Sequence, residues 1–172
     1  TYNGAWGIYP KDIDLDGDID ILSAATTADD LTWWENDGSQ NFDENVIKGD
    51  FDGARNVYAA DVDTDGDIDI LAVANIDDDL TWWENTATFS FDPGWTDSDI
   101  DTNADGAYAV FAADMDNDGD MDIVSASYTD DTIAWYENNG AADPSWNIIV
   151  FATSADGANS VYAADMDGDG DI

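Results

Sequence analysis

The 172-residue sequence has no cysteine, no histidine and only three basic residues, Lys11, Lys48 and Arg55. Without cysteine there is no disulfide framework and no reading of the redox compartment. Three cations against 41 acidic residues give a formal charge of −38, so no basic surface exists to neutralise phosphates. Nucleic acid is therefore not an expected partner, and neither is an anionic membrane surface. No run is long and apolar enough to cross a bilayer as a helix, so no membrane insertion is expected. Glutamate is also scarce. Only Glu35, Glu44, Glu84 and Glu137 occur, which leaves 37 aspartates. Aspartate is a poor helix former and a good turn residue, so the charge belongs in loops. Disorder is excluded by a composition that is 44% hydrophobic and 12% aromatic, with eight tryptophans. The sequence carries no initiator Met or signal peptide and begins and ends inside repeats. It therefore reads as a piece of a longer polypeptide.

What the chain has in abundance is one loop. Aspartates alternate along Asp12, Asp14, Asp16, Asp18 and Asp20, with Gly17 in the middle. The pattern returns as Asp61, Asp63, Asp65, Asp67 and Asp69, then as Asp114, Asp116, Asp118, Asp120 and Asp122. A fourth copy, Asp165, Asp167, Asp169 and Asp171, runs into the final residue, Ile172. Successive loops start 49, 53 and 51 residues apart. Trp33, Trp82 and Trp135 each follow their loop start by 21 residues, and Phe42, Trp95 and Trp146 each precede Gly53, Gly106 and Gly157 by 11. Only the stretch between these two blocks varies in length, which marks an exposed turn. The repeat units are approximately 4–52, 53–105, 106–156 and an incomplete 157–172.

Each unit reads as four short strands, with no sustained helical period. The first is Val57–Ala60, with equivalents at Ile8–Tyr9, Val110–Ala113 and Val161–Ala164. The second follows the Asp loop, at Ile19–Ala25, Ile68–Ala74 and Met121–Ser127. The third is Leu31–Glu35, Leu80–Glu84 and Ile133–Glu137, and the fourth lies near Phe42–Ile47, Trp95–Ile100 and Trp146–Phe151. Tandem four-stranded units of this length predict an all-β fold of β-propeller blades, three complete and a fourth begun. Side-chain size agrees: small residues on the first two strands suit a crowded axis, and large aromatics on the last two suit the outside. A β-helix has much shorter rungs.

The run Val57-Tyr58-Ala59-Ala60-Asp61-Val62-Asp63-Thr64-Asp65-Gly66-Asp67-Ile68-Asp69-Ile70-Leu71, with Trp82-Trp83-Glu84-Asn85 downstream, resembles the FG-GAP and VCBS calcium-loop repeats. These are the propeller repeats of integrin α-subunit heads and many secreted bacterial proteins. The Phe-Gly…Gly-Ala-Pro signature is missing, so the VCBS-like bacterial branch is the closer fit and integrin-style recognition is not carried over.

Clustered carboxylates in one turn repel each other unless a cation sits among them. Hard oxygen ligands and a glycine-centred turn suit Ca²⁺, and Mg²⁺ prefers fewer carboxylates with retained waters. Side-chain ligation is expected from Asp12, Asp14, Asp16 and Asp20, from Asp61, Asp63, Asp65 and Asp69, and from Asp114, Asp116, Asp118 and Asp122. By similarity to the family, Asp18, Asp67 and Asp120 would each give a backbone carbonyl. The fourth loop offers Asp165, Asp167, Asp169 and Asp171 but lacks its ninth position, so its site is expected to be weak or empty. An EF-hand is excluded, since its twelfth position needs Glu and here holds Ser23, Ala72 or Ser125. Calcium in every blade reads as structural, each ion pinning the hairpin between the first two strands.

One position varies sharply among units: Trp6, Arg55, Tyr108 and Asn159. In a propeller it lies at the channel rim opposite the calcium hairpins. These residue types suit a ligand surface, for a glycan or an extracellular protein. The Trp33-Trp34, Trp82-Trp83 and Trp135-Tyr136 pairs face opposite ways and are expected to be core between blades. The expected function is a non-catalytic, calcium-stabilised adhesion or scaffolding module, extracellular or at the cell surface. A carbohydrate-binding propeller, or an accessory module of a polysaccharide-active enzyme, is the alternative. Three blades leave apolar end faces, so self-association into a ring is expected.

Overall fold

In the computed structural model, residues 4–87, 93–170 and 172 are described. They form three four-stranded antiparallel sheets, each a meander in chain order. The first holds β1 (Ala5–Lys11), β2 (Asp20–Ala25), β3 (Asp30–Asn36) and β4 (Phe42–Lys48). The second holds β5 (Ala54–Ala60), β6 (Asp69–Ala74), β7 (Asp79–Asn85) and β8 (Trp95–Asp101). The third holds β9 (Ala107–Ala113), β10 (Asp122–Ser127), β11 (Thr132–Asn138) and β12 (Trp146–Ala152). The fold is all-β and the sheets are consistent with propeller blades, arranged as an open series rather than a closed ring. No helix among the described residues is long and apolar enough to cross a membrane.

The innermost strands β1, β5 and β9 lie side by side. Their aromatic residues form one continuous column: Tyr9 to Tyr58 at 4.6 Å, Tyr58 to Phe111 at 5.0 Å and Phe111 to Tyr162 at 4.7 Å between ring centroids. Strands β6 and β10 are buried along their whole length, which explains their Ala and Ser. The outer strands β4, β8 and β12 are largely exposed.

Two cores fill the two gaps between blades. Ile13, Leu22, Leu31 and Trp33 meet Val57, Ile70 and Trp83 in the first. Val62, Leu71, Leu80 and Trp82 meet Val110, Ile123 and Tyr136 in the second. The central blade therefore buries both of its paired tryptophans. The end blades bury one aromatic of each pair, Trp33 and Tyr136, on the face that has a neighbour. The repeat equivalents of Val57 and Ile68 are Ile8 and Ile19, which on the open face of the first blade are 71% and 55% exposed.

Several strand boundaries differ from the sequence reading, most at the first strands, where β5 starts at Ala54 and β9 at Ala107 rather than at Val57 and Val110. β1 extends from Ala5 to Lys11 because its ladder with β2 begins at Ala5↔Ala25. Val161–Ala164 forms no strand. Its ladder partner would be the strand after the Asp loop, and no such strand occurs among the described residues. Tyr162 still packs its ring against Phe111, although it is 76% exposed.

Candidate functional site

Each of the first three Asp loops closes the hairpin between the first and second strands of its unit. The ninth-position aspartate is the clamp. Asp20 is fully buried and accepts hydrogen bonds from the N–H of Ile13 at 3.1 Å and of Asn36 at 2.8 Å. Asp69 repeats this with Val62 at 3.0 Å and Asn85 at 2.8 Å, and Asp122 with Met115 at 3.0 Å and Asn138 at 2.8 Å. One carboxylate thus ties the loop to the end of the third strand. The asparagine there reciprocates, its side-chain amide donating to the carbonyls of Ile19, Ile68 and Met121. Asn138 also donates to Val62 O of the neighbouring blade at 3.1 Å. Asn36, Asn85 and Asn138 were missed as loop anchors by sequence reasoning. Their signal was the Glu-Asn dipeptide repeated in three units.

Within the loop, aspartates cap successive backbone N–H groups. Asp12, Asp61 and Asp114 each accept from the glycine five residues on, at 3.1 Å. That glycine has a φ near 101° in all three copies, with open space where a Cβ would stand. Its requirement is therefore conformational. The fourth position is also left-handed, with φ of 60° at Leu15, 62° at Thr64 and 60° at Asn117. Leu15 is half-exposed and β-carbon crowding there costs about 1 kcal/mol. Leu15→Gly should therefore raise the melting temperature by about 2–4 °C, measurable by scanning calorimetry.

The geometry gathers three carboxylates per loop. Oxygens of Asp12, Asp14 and Asp20, of Asp61, Asp63 and Asp69, and of Asp114, Asp116 and Asp122 lie within 4.8 Å of one another. In the fourth loop Asp165, Asp167 and Asp169 do so, all exposed. Asp171 lies outside the described residues. Asp16, Asp65 and Asp118 are not in these groups; each instead accepts the N–H of position seven, at 2.8, 2.9 and 3.0 Å. The side chains of Asp18 and Asp120 pack against Gly38 and Gly140 so closely that a Cβ there would collide with them.

These groups are electrostatically costly without a cation. Burial pushes Asp14 and Asp63 up to about 6, and the charges of neighbouring acids, Glu35 and Glu84 among them, add to the rise. Burial lifts Asp69 to about 7 against the hydrogen bonds from Asn85 and Val62. Asp116 and Asp122 are raised for the same first reason. The exposed Asp165 is instead lowered, by N–H donors of Gly170 and Gly168. The second oxygens of Asp12 and Asp61 are buried with no hydrogen-bond partner. An orphaned anionic oxygen in a carboxylate cluster fits a hard divalent cation.

At the other end of the inner strands, the four varying residues come together. Trp6, Arg55, Tyr108 and Asn159 line one cavity of about 420 Å³ with Asn56. The Arg55 guanidinium carbon lies over two aromatic rings, 3.5 Å from the Trp6 centroid and 3.8 Å from that of Tyr108. It also donates to the Tyr108 hydroxyl.

Comparison with protein families matches the FG-GAP-like repeat at residues 12–72, 61–125 and 114–172. The chain belongs to the FG-GAP-like repeat family. Each match starts at an Asp loop and runs into or through the next one, so the FG-GAP unit includes the clamp and the strand pair that it joins. No curated protein matches the chain. A second device holds successive FG-GAP blades together. Asp29, Asp78 and Asp131, all left-handed, accept the N–H of Gly53, Gly106 and Gly157 in the next unit at 3.1, 2.7 and 2.8 Å.

Proposed function

We propose that this FG-GAP chain is a calcium-binding, non-catalytic β-propeller module of a secreted or cell-surface protein, with an adhesive or scaffolding role. The observation that carries the reading is the buried, unpartnered oxygen of Asp12 and of Asp61 inside a three-carboxylate cluster. A cation would complete those clusters and join the two ends of each hairpin. Calcium is favoured over magnesium by the number of carboxylates and the flexible loop geometry. A structural role is favoured by the recurrence of the same cluster in each blade, since a catalytic ion needs an open position beside a base or nucleophile. Titration calorimetry of the EDTA-stripped chain should show about three Ca²⁺ sites, one per complete loop, and no comparable Mg²⁺ heat. Absence of Ca²⁺ binding would overturn the reading. Turnover of acidic or neutral polysaccharides by the isolated chain would overturn its non-catalytic part.

Self-association is part of the proposal. Ile8, Ile19, Ile21 and Trp34 occupy the positions that in the central blade are buried by a neighbour as Val57, Ile68, Ile70 and Trp83. The surface that complements them is the Met115, Val124 and Ile133 face of the third blade, beside Val161–Ala164. Docking of a second copy must displace or accommodate that segment. Light scattering should report a dimer or larger species, and a monodisperse monomer across the micromolar range would sink the idea.

A further inference from the structure

We infer that the cavity at the starts of β1, β5 and β9 binds the carboxylate of an acidic sugar, a function beyond the calcium module. Three β-bulges build it. Ala5↔Ala25 is followed by Gly7↔Ala24, so Trp6 is the extra residue of the first. Arg55 is the extra residue between Ala54↔Ala74 and Asn56↔Val73, and Tyr108 the one between Ala107↔Ser127 and Ala109↔Ala126. A bulge re-aims a side chain that regular pairing would point elsewhere. Three blades place their bulges at the same point, and each carries a different side chain to one cavity.

The charge is placed against the trend of the chain. Arg55 is only 8% exposed, and among the described residues the one ion pair is Lys48–Asp50 at 3.3 Å. None of the described aspartates pairs with the buried guanidinium. Its guanidinium carbon lies over the rings of Trp6 and Tyr108, and the Tyr108 hydroxyl takes one donor. The remaining donors lie in the guanidinium plane, the geometry that holds a carboxylate in bidentate fashion. A singly charged carboxylate is preferred to phosphate, because a net charge of −38 repels a dianion more strongly. Trp6 is 63% exposed, which leaves ring surface for a pyranose to stack on. Asn159 and Asn56 bring amides to the same cavity, suited to sugar hydroxyls. A cavity of about 420 Å³ has room for one or two sugar rings.

The test is titration of the calcium-loaded chain with a uronic-acid trisaccharide, its neutral counterpart and a peptide with a free C-terminal carboxylate. The uronate should bind, and the neutral sugar should bind at least about tenfold more weakly, the loss of a charged hydrogen bond. Arg55→Gln should weaken uronate binding by about tenfold or more. Trp6→Ala should weaken it too while leaving the calcium-induced rise in melting temperature intact, because Trp6 is largely exposed. Equal binding of neutral sugar and uronate would overturn the inference. So would peptide binding with uronate silent, no uronate binding, or unaltered affinity in both variants. The calcium response of the same sample reports separately on the calcium reading.

Discussion

Millimolar Ca²⁺ should raise the melting temperature of the EDTA-stripped chain by about 20 °C, with Mg²⁺ giving little. An ion present at a hundred times its dissociation constant stabilises the native state by about 2.7 kcal/mol per site. Three complete loops then contribute about 8 kcal/mol, and a domain of this size shifts by about 2–4 °C per kcal/mol. The effect depends on pH in opposite senses with and without metal. Asp14 and Asp63 titrate near 6 and Asp69 near 7 in the folded chain, against a usual 3.8. Their folded values are raised, so the stability they contribute is complete below about pH 4 and is lost as pH rises through 6 to 7. The metal-free chain should therefore lose stability between about pH 4 and 7. Across the same window the calcium-induced gain should grow, because the ion competes with those protons. Thermal melts at pH 4.5 and 7.5, with EDTA or Ca²⁺, check both slopes. A metal-free melting temperature that rose with pH would contradict the assignment of these carboxylates as crowded and buried.

The second large effect separates two aspartates of one loop. Asp69→Ala removes the acceptor for the N–H groups of Val62 and Asn85, which bond it at 3.0 and 2.8 Å. Leaving two such groups unpaired costs about 3 kcal/mol. In EDTA at about pH 3.5, where Asp69 is protonated in the folded and largely in the unfolded chain and carries little ionisation penalty, that loss should appear in full. Asp63 accepts only the N–H of Asp65, at an exposed turn. Asp63→Ala should therefore be close to neutral in EDTA at about pH 3.5, and should lose stability in Ca²⁺ at pH 7.5, where the parent chain gains from the ion. Urea unfolding under both conditions measures the contrast. Equal destabilisation by the two substitutions in EDTA would refute the clamp.

The blade pattern was legible because it is local. A strand buried on one face repeats every second residue, and the Asp loops sit at constant distances from Trp33, Trp82 and Trp135. Three intact copies of that spacing predicted the hairpins and the carboxylate clusters together. The clamp partners were less legible. Asn36, Asn85 and Asn138 lie sixteen residues from the aspartates that they bond, so the pairing emerges only when β3, β7 and β11 fold back along β2, β6 and β10.

By itself, the sequence determined the all-β class, the recurrence of the unit and the acidic hairpins, since period, turn chemistry and composition act over a few residues. The variation among units also marked Trp6, Arg55, Tyr108 and Asn159 as a set. Only the tertiary structure decided that these four share a cavity, because the bulges that aim them depend on register between strands. It alone decided which aromatic of each pair is buried, since Trp34 and Trp83 are equivalent in sequence and differ only in whether another blade covers them.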